Sequence, residues 1–417
     1  MKITKTLNNL KPSDNTLDIP MKTHATLKQV ADWLALERNL VIMVLAVLVL
    51  TFGNQMWVKF TPKYLEFLGA SAIILGLYGS IEQFVGAIYQ YPGGIITDRL
   101  GAKRALILFS FISIIGYIIY YFSYSWELFI IGTFFVLVWE SMSQPAIFSL
   151  IGDVLSKSKR AMGFSVQSIL KRIPIIIAPP IGGYLIQTYG LQGGMRIGFV
   201  VSIVMALLAI FVQRKYYTET GERKENPSIS IIKLWQIMDK KLKKLLISDI
   251  LARMASYMIK VYIVIYVINI LKATPLDYGL MISIQMTTSI LSYLPAAKLA
   301  DKYGRKPFIT LTFLFFSLFP LILVQIPSPT LLPLAFIIAG LREIGEPARK
   351  AYIVDLSEGE YKGKTIGLYY LIRELTNLLS PIIGGILWTI SPKILFYTSF
   401  FIGLTGVTIF SITNKLK

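Results

Sequence analysis

The chain is dominated by long apolar runs that recur from residue 39 to its end. An apolar run of about 18 residues or more is long enough to cross a bilayer as a helix. At this length only helices satisfy their backbone hydrogen bonds in lipid. The sequence therefore predicts an all-α polytopic membrane protein with twelve transmembrane helices, at 39–58, 71–92, 104–122, 126–150, 161–187, 194–214, 245–270, 277–297, 307–326, 331–351, 363–390 and 393–413.

The composition agrees with a membrane protein and narrows its chemistry. Of 417 residues, 54% are hydrophobic and 16% are charged, whereas soluble domains carry about 25% charged residues. The absence of cysteine excludes disulfides and thiolate metal sites. The only histidine, His24, lies in the polar N-terminal tail. Any proton chemistry inside the membrane therefore falls to carboxylates, and we expect neither a cofactor nor a metal.

The distribution of basic residues predicts the orientation. Positive charge concentrates in the cytoplasmic loops of membrane proteins, and most of the 42 Lys and Arg fall in loops on one side. The other side holds only Lys59, Lys63, Arg196, Lys272 and Lys393. We expect a plasma-membrane protein with both termini in the cytoplasm. The net charge of +19 then belongs to the surface facing the inner leaflet, and a nucleic-acid partner is not needed to explain it.

A hydrophilic connection divides the chain into two halves of six spans each. The predicted organisation is a cytoplasmic tail (1–38), a first half (39–214), a linker (215–244) and a second half (245–417). Within the linker, apolar residues alternate with lysines, as in an amphipathic helix lying on the membrane surface. Lipid is therefore an expected partner.

The two halves repeat each other. The stretch GIITDRLGAKR (94–104) returns as AKLADKYGRKP (297–307), with Asp98 and Asp301 at an offset of 203 residues. At an offset of 202 the matching residues are Pro145 and Pro347, Asp153 and Asp355, Pro179 and Pro381, and Gly182–Gly183 and Gly384–Gly385. Such a register indicates an internal duplication, which is typical of transporters whose substrate sites lie between the repeats.

Twelve spans, a long middle loop and the G-x-x-x-D-R-x-G-x-K-R pattern between spans 2 and 3 resemble the major facilitator superfamily. The resemblance covers the chain after residue 38. It implies two pseudo-symmetric six-helix bundles around a cavity that opens alternately to each side of the membrane. It also implies that spans 1, 4, 7 and 10 line that cavity.

The duplicated loop is interpreted as a gate through this resemblance. Asp98 would accept hydrogen bonds from a helix N-terminus of the other bundle and from nearby arginines. Asp153 with Arg160, and Asp355 with Lys362 or Lys364, are expected as further pairs. The alternative is a positively charged topology anchor with surface salt bridges of little energetic value. The gate residues are Gly94, Asp98, Arg99, Gly101, Lys103, Arg104, Asp301, Lys302, Gly304, Arg305, Lys306, Asp153, Arg160 and Asp355.

Ionisable residues within the spans are costly in lipid and by default face a cavity or a partner. The candidates for proton coupling are Glu82, Glu140, Glu346 and Glu374. At the repeat offset Glu140 corresponds to Arg342, and Arg172 to Glu374.

We therefore expect one buried pair in each half, Glu140 with Arg172 or Lys171 and Arg342 with Glu374. Arg342 can also pair with Glu346 four residues on. Glu82 has no obvious partner, and Asp249 is placed too near the end of span 7 to be a strong candidate. The alternative is structural neutralisation alone.

Polar and aromatic residues in the spans give the candidates for the substrate cavity, although such residues also pack against lipid or neighbouring helices. They are Asn54, Gln55, Trp139, Arg172, Arg253, Tyr257, Lys260, Arg342 and Arg373.

The expected function is proton-coupled export of small amphipathic organic compounds by a monomeric secondary transporter. Drug:proton antiporters of the superfamily carry a span-5 motif ending G-P-x-x-G-G, similar to Ala178-Pro179-Pro180-Ile181-Gly182-Gly183 here. Those antiporters place an arginine in span 4, where this chain has Glu140. The slightly basic set of charges within the spans leaves open a proton symporter importing an organic anion, and more remotely a non-transporting sensor. No nucleotide-binding loop occurs, and we do not expect an enzyme.

Overall fold

The computed structural model describes residues 38–154, 171–216, 231–357 and 362–413. Within these ranges the regular structure is helical, and no strand occurs. The first half contains α1 (Arg38–Gln55), a 3-10 turn (Val58–Phe60), α2 (Thr61–Phe67), α3 (Ala72–Leu100), α4 (Ala102–Phe122), α5 (Trp126–Val154) and α6 (Arg172–Tyr216). The second half contains α7 (Ile231–Ile237), α8 (Lys240–Lys260), a short turn (Ile263–Ile265), a π-helical turn (Tyr266–Ile270), α9 (Pro275–Tyr303), α10 (Arg305–Gln325), α11 (Leu332–Leu341), α12 (Glu346–Asp355), α13 (Lys362–Asn377), α14 (Ser380–Ile390) and α15 (Pro392–Thr413).

These helices account for the twelve predicted membrane passes. Eight helical segments of the described residues are long and apolar enough to cross a membrane, the first of them running from α1 through α2 (Val41–Phe67). Helix α8 and Ile263–Ile270, bent by 46° at the break between them, count as a ninth when the pair is taken as one span. Helix α6 contains the fifth predicted pass from Arg172 onwards and the whole of the sixth, because it turns back at Gly190, where φ is +75°. The predicted spans 10 and 11 are each broken into two helices, α11–α12 and α13–α14.

The two breaks are placed by the local sequence. Pro347 and Pro381 each lie in the first turn of the helix that follows the break. A proline there costs no helical hydrogen bond, since the first N–H groups of a helix have no partner within it. The charged residues around Arg342–Gly345 therefore lie on a turn inside the membrane region and not on one continuous helix.

Three apolar clusters show how the halves meet. We call the end of the molecule with the Gly101 and Gly304 turns the motif face, and the end with the Gly69 and Gly190 turns the opposite face. The largest cluster contains residues of both halves near the opposite face, among them Trp57, Phe60, Tyr64, Tyr262, Tyr278 and Phe336. The two remaining clusters each belong to one half and extend towards the motif face. The halves are thus joined at the opposite face.

Glycines allow this junction to close tightly. A Cβ added to Gly79 of α3 would lie 2.9 Å from the Pro381 Cβ on α14. A Cβ added to Gly183 of α6 would lie 2.9 Å from the Leu276 Cα on α9. Only a residue without a side chain permits such close backbone approach. The Tyr262 hydroxyl donates across the junction to the Ala72 carbonyl at 2.8 Å.

A polar clamp lies over the same junction. The Lys63 Nζ donates to Glu66 at 2.5 Å and to the Asn269 Oδ1 at 2.6 Å. The Asn269 Nδ2 in turn donates to the Glu66 carboxylate at 2.8 Å. Because Lys63 and Glu66 lie on α2 and Asn269 lies on the π-helical turn, the clamp ties the two halves together at the opposite face.

Candidate functional site

A cavity of about 740 Å³ lies between the halves, on the motif-face side of the junction. Four helices line it: α3 and α5 from the first half, and α8 and α13 from the second. They correspond to predicted spans 2, 4, 7 and 11, so spans 4 and 7 line the cavity as expected, while spans 2 and 11 take the places expected for 1 and 10. The ionisable and amide side chains on its walls are Glu82, Gln83, Gln90, Glu140, Gln144, Tyr257, Lys260, Tyr370, Arg373 and Glu374.

Glu82 bridges the two halves inside this cavity. Its carboxylate accepts from the Lys260 Nζ at 3.1 Å and from the Tyr78 hydroxyl at 2.9 Å. The Lys260 side chain is 53% exposed to the cavity, and the Glu82 side chain is 16% exposed. The expectation that Glu82 lacks a partner was wrong, because its partner comes from the other half and not from the matching position of the repeat.

Glu140 is the unpaired carboxylate of the site. It is exposed on the cavity wall, and within the described residues no ion pair or side-chain hydrogen bond engages it. The expected partners are occupied elsewhere: Lys171 donates to the Gln144 Oε1 at 3.3 Å. Arg172 crosses to α9 of the other half, where it donates to Ser289 at 2.5 Å, and also lies 3.5 Å from Glu343.

The expected pairing of Arg342 with Glu374 was also wrong. Arg342 donates to the Ala339 carbonyl at 2.9 Å and lies over the rings of Phe316 and Phe319. Arg342 and Glu346 do not pair either, since the helix breaks between them and the i, i+4 geometry is lost. Glu374 instead accepts from the neighbouring Arg373 at 3.0 Å and from the Tyr257 hydroxyl at 3.1 Å.

A buried charge cluster lies beside the cavity within the second half. It consists of Asp249, Arg253, Glu346, Arg349 and Arg373. Asp249 is fully buried and accepts from Arg349 at 2.6 Å, from Arg373 at 3.2 Å and from the Tyr369 hydroxyl at 2.9 Å. Glu346 is contacted by Arg253 and, at 2.7 Å, by Arg349. With Glu374, which contacts Arg373 at the cavity wall, three carboxylates balance three guanidinium groups.

Sequence reasoning missed the centre of this cluster. Asp249 was set aside for its position near a helix end, and Arg349 was not considered. The helical spacings that place these charges together are visible in the sequence, with Asp249 and Arg253 four residues apart and Glu346 and Arg349 three apart. What the sequence does not show is that these two pairs, one on α8 and one on α12, meet through Arg253–Glu346 and Arg349–Asp249 contacts.

A second, smaller cavity of about 160 Å³ joins the first at Glu140 and Gln144. We call it the side pocket. It lies within the first half, between α1, α5 and the start of α6. The predicted cavity residues Asn54, Gln55 and Trp139 line it together with Lys171. Tyr257, Lys260 and Arg373 line the central cavity, whereas Arg172, Arg253 and Arg342 line neither of the two.

The predicted gate residues lie on the motif face. Gly101 and Gly304 have φ values of +82° and +91°, which a residue with a side chain rarely adopts. Asp98 is exposed, and no partner for it occurs among the described residues. Lys103 donates to the Arg214 carbonyl at 3.1 Å. Gly94, Arg99, Arg104, Lys302 and Lys306 also lie at this end.

Asp355 pairs with Arg305 and not with the expected Lys364. This contact links the second copy of the motif to the end of α12. The expected pair Asp153–Arg160 and the side chains of Asp301 and Lys362 lie outside what the structure describes.

Comparison with known proteins decides the family. The profile of the Major Facilitator Superfamily matches residues 43–242 and 245–415, which is nearly the whole described chain. The chain belongs to the major facilitator superfamily. The predicted resemblance, the all-α fold of two repeated halves and the multi-pass membrane character are thereby confirmed. Members of this family are transporters and not enzymes.

Relatives in this superfamily match over most of their length. The chain is 24% identical to the quinolone resistance protein NorA of Staphylococcus aureus (strain COL), over 91% of this chain and 97% of NorA. It is 20% identical to an uncharacterized MFS-type transporter of Methanocaldococcus jannaschii, over 82% of this chain and 87% of the relative.

Solved structures share the fold at lower identity. A POT family transporter in complex with 5-aminolevulinic acid superimposes with a TM-score of 0.72 at 16% identity, over 90% of this chain and 95% of that chain. A bacterial homolog of the human lysosomal transporter Spinster, in an inward-facing conformation, gives a TM-score of 0.68 at 13% identity, over 89% of this chain and 94% of that one.

Proposed function

We propose that this superfamily member is an alternating-access secondary transporter that exports small amphipathic organic compounds in exchange for protons. It acts as a monomer in the plasma membrane with both termini in the cytoplasm. The observation that carries the proposal is the Glu82–Lys260 ion pair, which joins the two halves inside the central cavity.

The ion pair offers a direct route from proton binding to movement. While Glu82 is ionised, its attraction to Lys260 holds α3 and α8 together across the cavity. Protonation of Glu82 removes that attraction and leaves the Lys260 charge without a counter-ion in a partly desolvated site, which is unfavourable. The proton therefore changes the relative free energies of the two conformations, as coupling requires. Glu140 and Glu374 are the next candidates because they line the same cavity, whereas Glu346 is held by two arginines within the buried charge cluster.

The cavity also supports the class of cargo. Its volume of about 740 Å³ lies in the usual range of roughly 300–1,000 Å³ for small-molecule sites. Its walls carry three carboxylates and two cationic groups, and one of these cations, Arg373, also forms an ion pair with Asp249 outside the cavity. The resulting acidic excess favours neutral or positively charged amphipathic molecules. The relative named for quinolone resistance supports export of organic compounds, since resistance follows when a toxic compound is removed from the cell.

One observation favours the second candidate, a proton symporter that imports an organic anion. Lys260 remains 53% exposed even while it contacts Glu82. Protonation of Glu82 would leave this ammonium free to bind an anionic cargo, and proton and anion would then move in the same direction.

Transport by purified protein in proteoliposomes separates the two candidates. A pH gradient is imposed, and uptake is followed for ethidium, for a labelled organic anion and for a neutral drug. Ethidium carries a permanent charge and is therefore not trapped by acid as weak bases are. Exchange predicts uphill accumulation of ethidium in the acidic compartment, whereas symport predicts accumulation of the anion in the alkaline one. Indifference of every compound to the gradient, relative to protein-free liposomes, would refute proton coupling.

A pair of glutamine variants tests the role of Glu82. Glu82→Gln should abolish uphill accumulation while downhill exchange of cargo continues, because the amide cannot release a proton. Glu127→Gln is the matched control, since Glu127 is an exposed residue in the first turn of α5, outside both cavities. Uphill transport that survives in Glu82→Gln would move the proton site to another carboxylate.

A further inference from the structure

The side pocket contains buried polar atoms that have no partner among the described residues. The Gln55 side chain is 8% exposed, and its Oε1 accepts no hydrogen bond from any residue that the structure describes. The Oδ1 of the adjacent Asn54 is likewise buried and has no donor within the same ranges. Both residues line the side pocket. Because buried polar atoms are normally paired, two free acceptors on one wall indicate a site for a hydrogen-bond donor.

Glu140 adds a carboxyl group to the lining of this pocket. It lines both the side pocket and the central cavity, and within the described residues its carboxylate forms no ion pair or side-chain hydrogen bond. Lys171 is the only other charged side chain among the pocket-lining residues, and it donates to Gln144. The pocket therefore has more hydrogen-bond acceptors than donors, since Asn54, Gln55 and Glu140 all offer oxygens, while the Lys171 ammonium interacts electrostatically with Glu140 and donates to Gln144.

The remaining lining residues are mostly apolar and limit the size of what can enter. Leu50, Trp139, Ile147 and Ile175 surround a volume of about 160 Å³. An engineered apolar cavity of about 150 Å³ holds one benzene molecule. The side pocket thus has room for one six-membered ring but not for a fused ring system.

We propose that the side pocket binds the part of the cargo that consists of one six-membered ring with one ammonium group, and that Glu140 is the counter-ion of this ammonium. The ammonium donates to the Glu140 carboxylate and to the free oxygens of Asn54 and Gln55, while the ring packs against Trp139. The rest of such a cargo lies in the central cavity, and a fused-ring cation such as ethidium occupies the central cavity alone. This inference deepens the proposed transport function and rests on it.

The position of Lys171 adds a limit on charge. A second positive charge on the ring would face the Lys171 ammonium in a confined space, where like charges repel strongly. The pocket therefore selects monocations over dications. It does so independently of Glu82, which lines only the central cavity.

The absence of cysteine makes a direct test possible. Thr51 lines the side pocket and is half-buried, so a thiol reagent can reach a Thr51→Cys variant. Alkylation of this single cysteine is timed in detergent with cyclohexylammonium, with neutral cyclohexanol or with anionic cyclohexanecarboxylate. Ala87→Cys is the matched control, since Ala87 is also half-buried and lines only the central cavity.

Cyclohexylammonium should slow alkylation of Thr51→Cys several-fold, while cyclohexanol and cyclohexanecarboxylate do not. Glu140→Gln should abolish this protection, and Ala87→Cys should react at the same rate with and without the amine. Equal rates with all three compounds, or protection that persists in Glu140→Gln, would overturn the proposal and leave a pocket filled by water alone.

Tryptophan fluorescence is a second readout, which tests the proposal even if the cysteine of Thr51→Cys reacts too slowly to be timed. The emission of Trp139, identified by its loss in a Trp139→Phe variant, should change with cyclohexylammonium and not with cyclohexanol; no change would also overturn the proposal. Both assays use no pH gradient. If proton coupling is refuted, the binding assays can still show that the side pocket binds an ammonium. If binding to the side pocket is refuted, proton-coupled transport can still be observed.

Discussion

Single residues decide where charge can exist inside this protein. An ionised side chain is tolerated in a membrane protein when it faces a cavity or a partner. The buried charge cluster satisfies this condition through partners, and Glu140 satisfies it through exposure to the cavity. Most of these residues are recognisable in the sequence, because ionisable groups are conspicuous in apolar spans. Their partners were predicted wrongly, since the repeat relates matching positions of the two halves, while contacts such as Glu82–Lys260 and Arg172–Ser289 cross between the halves.

Arg349 is the residue whose loss should destabilise the protein most. It is 2% exposed and contacts both Asp249 and Glu346. Removal of one partner of a buried ion pair costs about 3–5 kcal/mol, because the remaining charge stays buried. Arg349→Met should therefore lower the melting temperature of the detergent-solubilised protein markedly.

Arg305→Met is the control for that variant. Arg305 pairs with Asp355, whose side chain is 55% exposed, and such a surface pair is worth about 1 kcal/mol or less. Similar melting temperatures for the two variants would contradict the assigned importance of the buried cluster.

At the scale of helices, the apolar runs predicted the number and order of the passes. The kink between α11 and α12 and the break before α14 were not predicted, since a proline in an apolar run is compatible with either a continuous or a broken helix. The helix pairs that join the halves, α3 with α14 and α6 with α9, depend on small residues. The matching Gly182–Gly183 and Gly384–Gly385 were found in the sequence as a repeat and not as contact points.

Gly76 tests the tight contact between α3 and α14. An added Cβ at Gly76 would lie 2.8 Å from the Tyr262 hydroxyl and 2.9 Å from the Ile382 Cα. Gly76→Ala should therefore loosen the closed opposite face. In a protein that also carries Ala70→Cys as its single cysteine, at a position 6% exposed in the joining apolar cluster, alkylation should become several-fold faster.

Gly367→Ala serves as the control, since nothing lies within 4 Å of a Cβ added there. It should leave the alkylation rate of the cysteine at position 70 unchanged. An equal effect of the two alanine variants would show that the close approach at Gly76 does not hold the face shut.

For the whole molecule, the structure shows the halves joined at the opposite face by an apolar cluster and a polar clamp, with a charged cavity on the motif-face side. Asp98 is exposed and has no partner among the described residues, which fits halves that are joined at the opposite face and not at the motif face. Its role as a latch that closes the motif face stays a prediction. The fold was predictable because duplication, span length and the motif all constrain the same architecture. Cargo and coupling were not, since they depend on which helices meet around the two cavities and on contacts between the halves.

The most direct test of the account is whether cargo moves protons. Purified protein is reconstituted with a pH-sensitive dye inside the vesicles and no initial pH gradient, and ethidium is added outside. Exchange predicts that entry of ethidium drives protons out and raises the internal pH, and that Glu82→Gln allows entry without the pH change. Ethidium that equilibrates through the wild-type protein at constant internal pH would contradict proton-coupled transport.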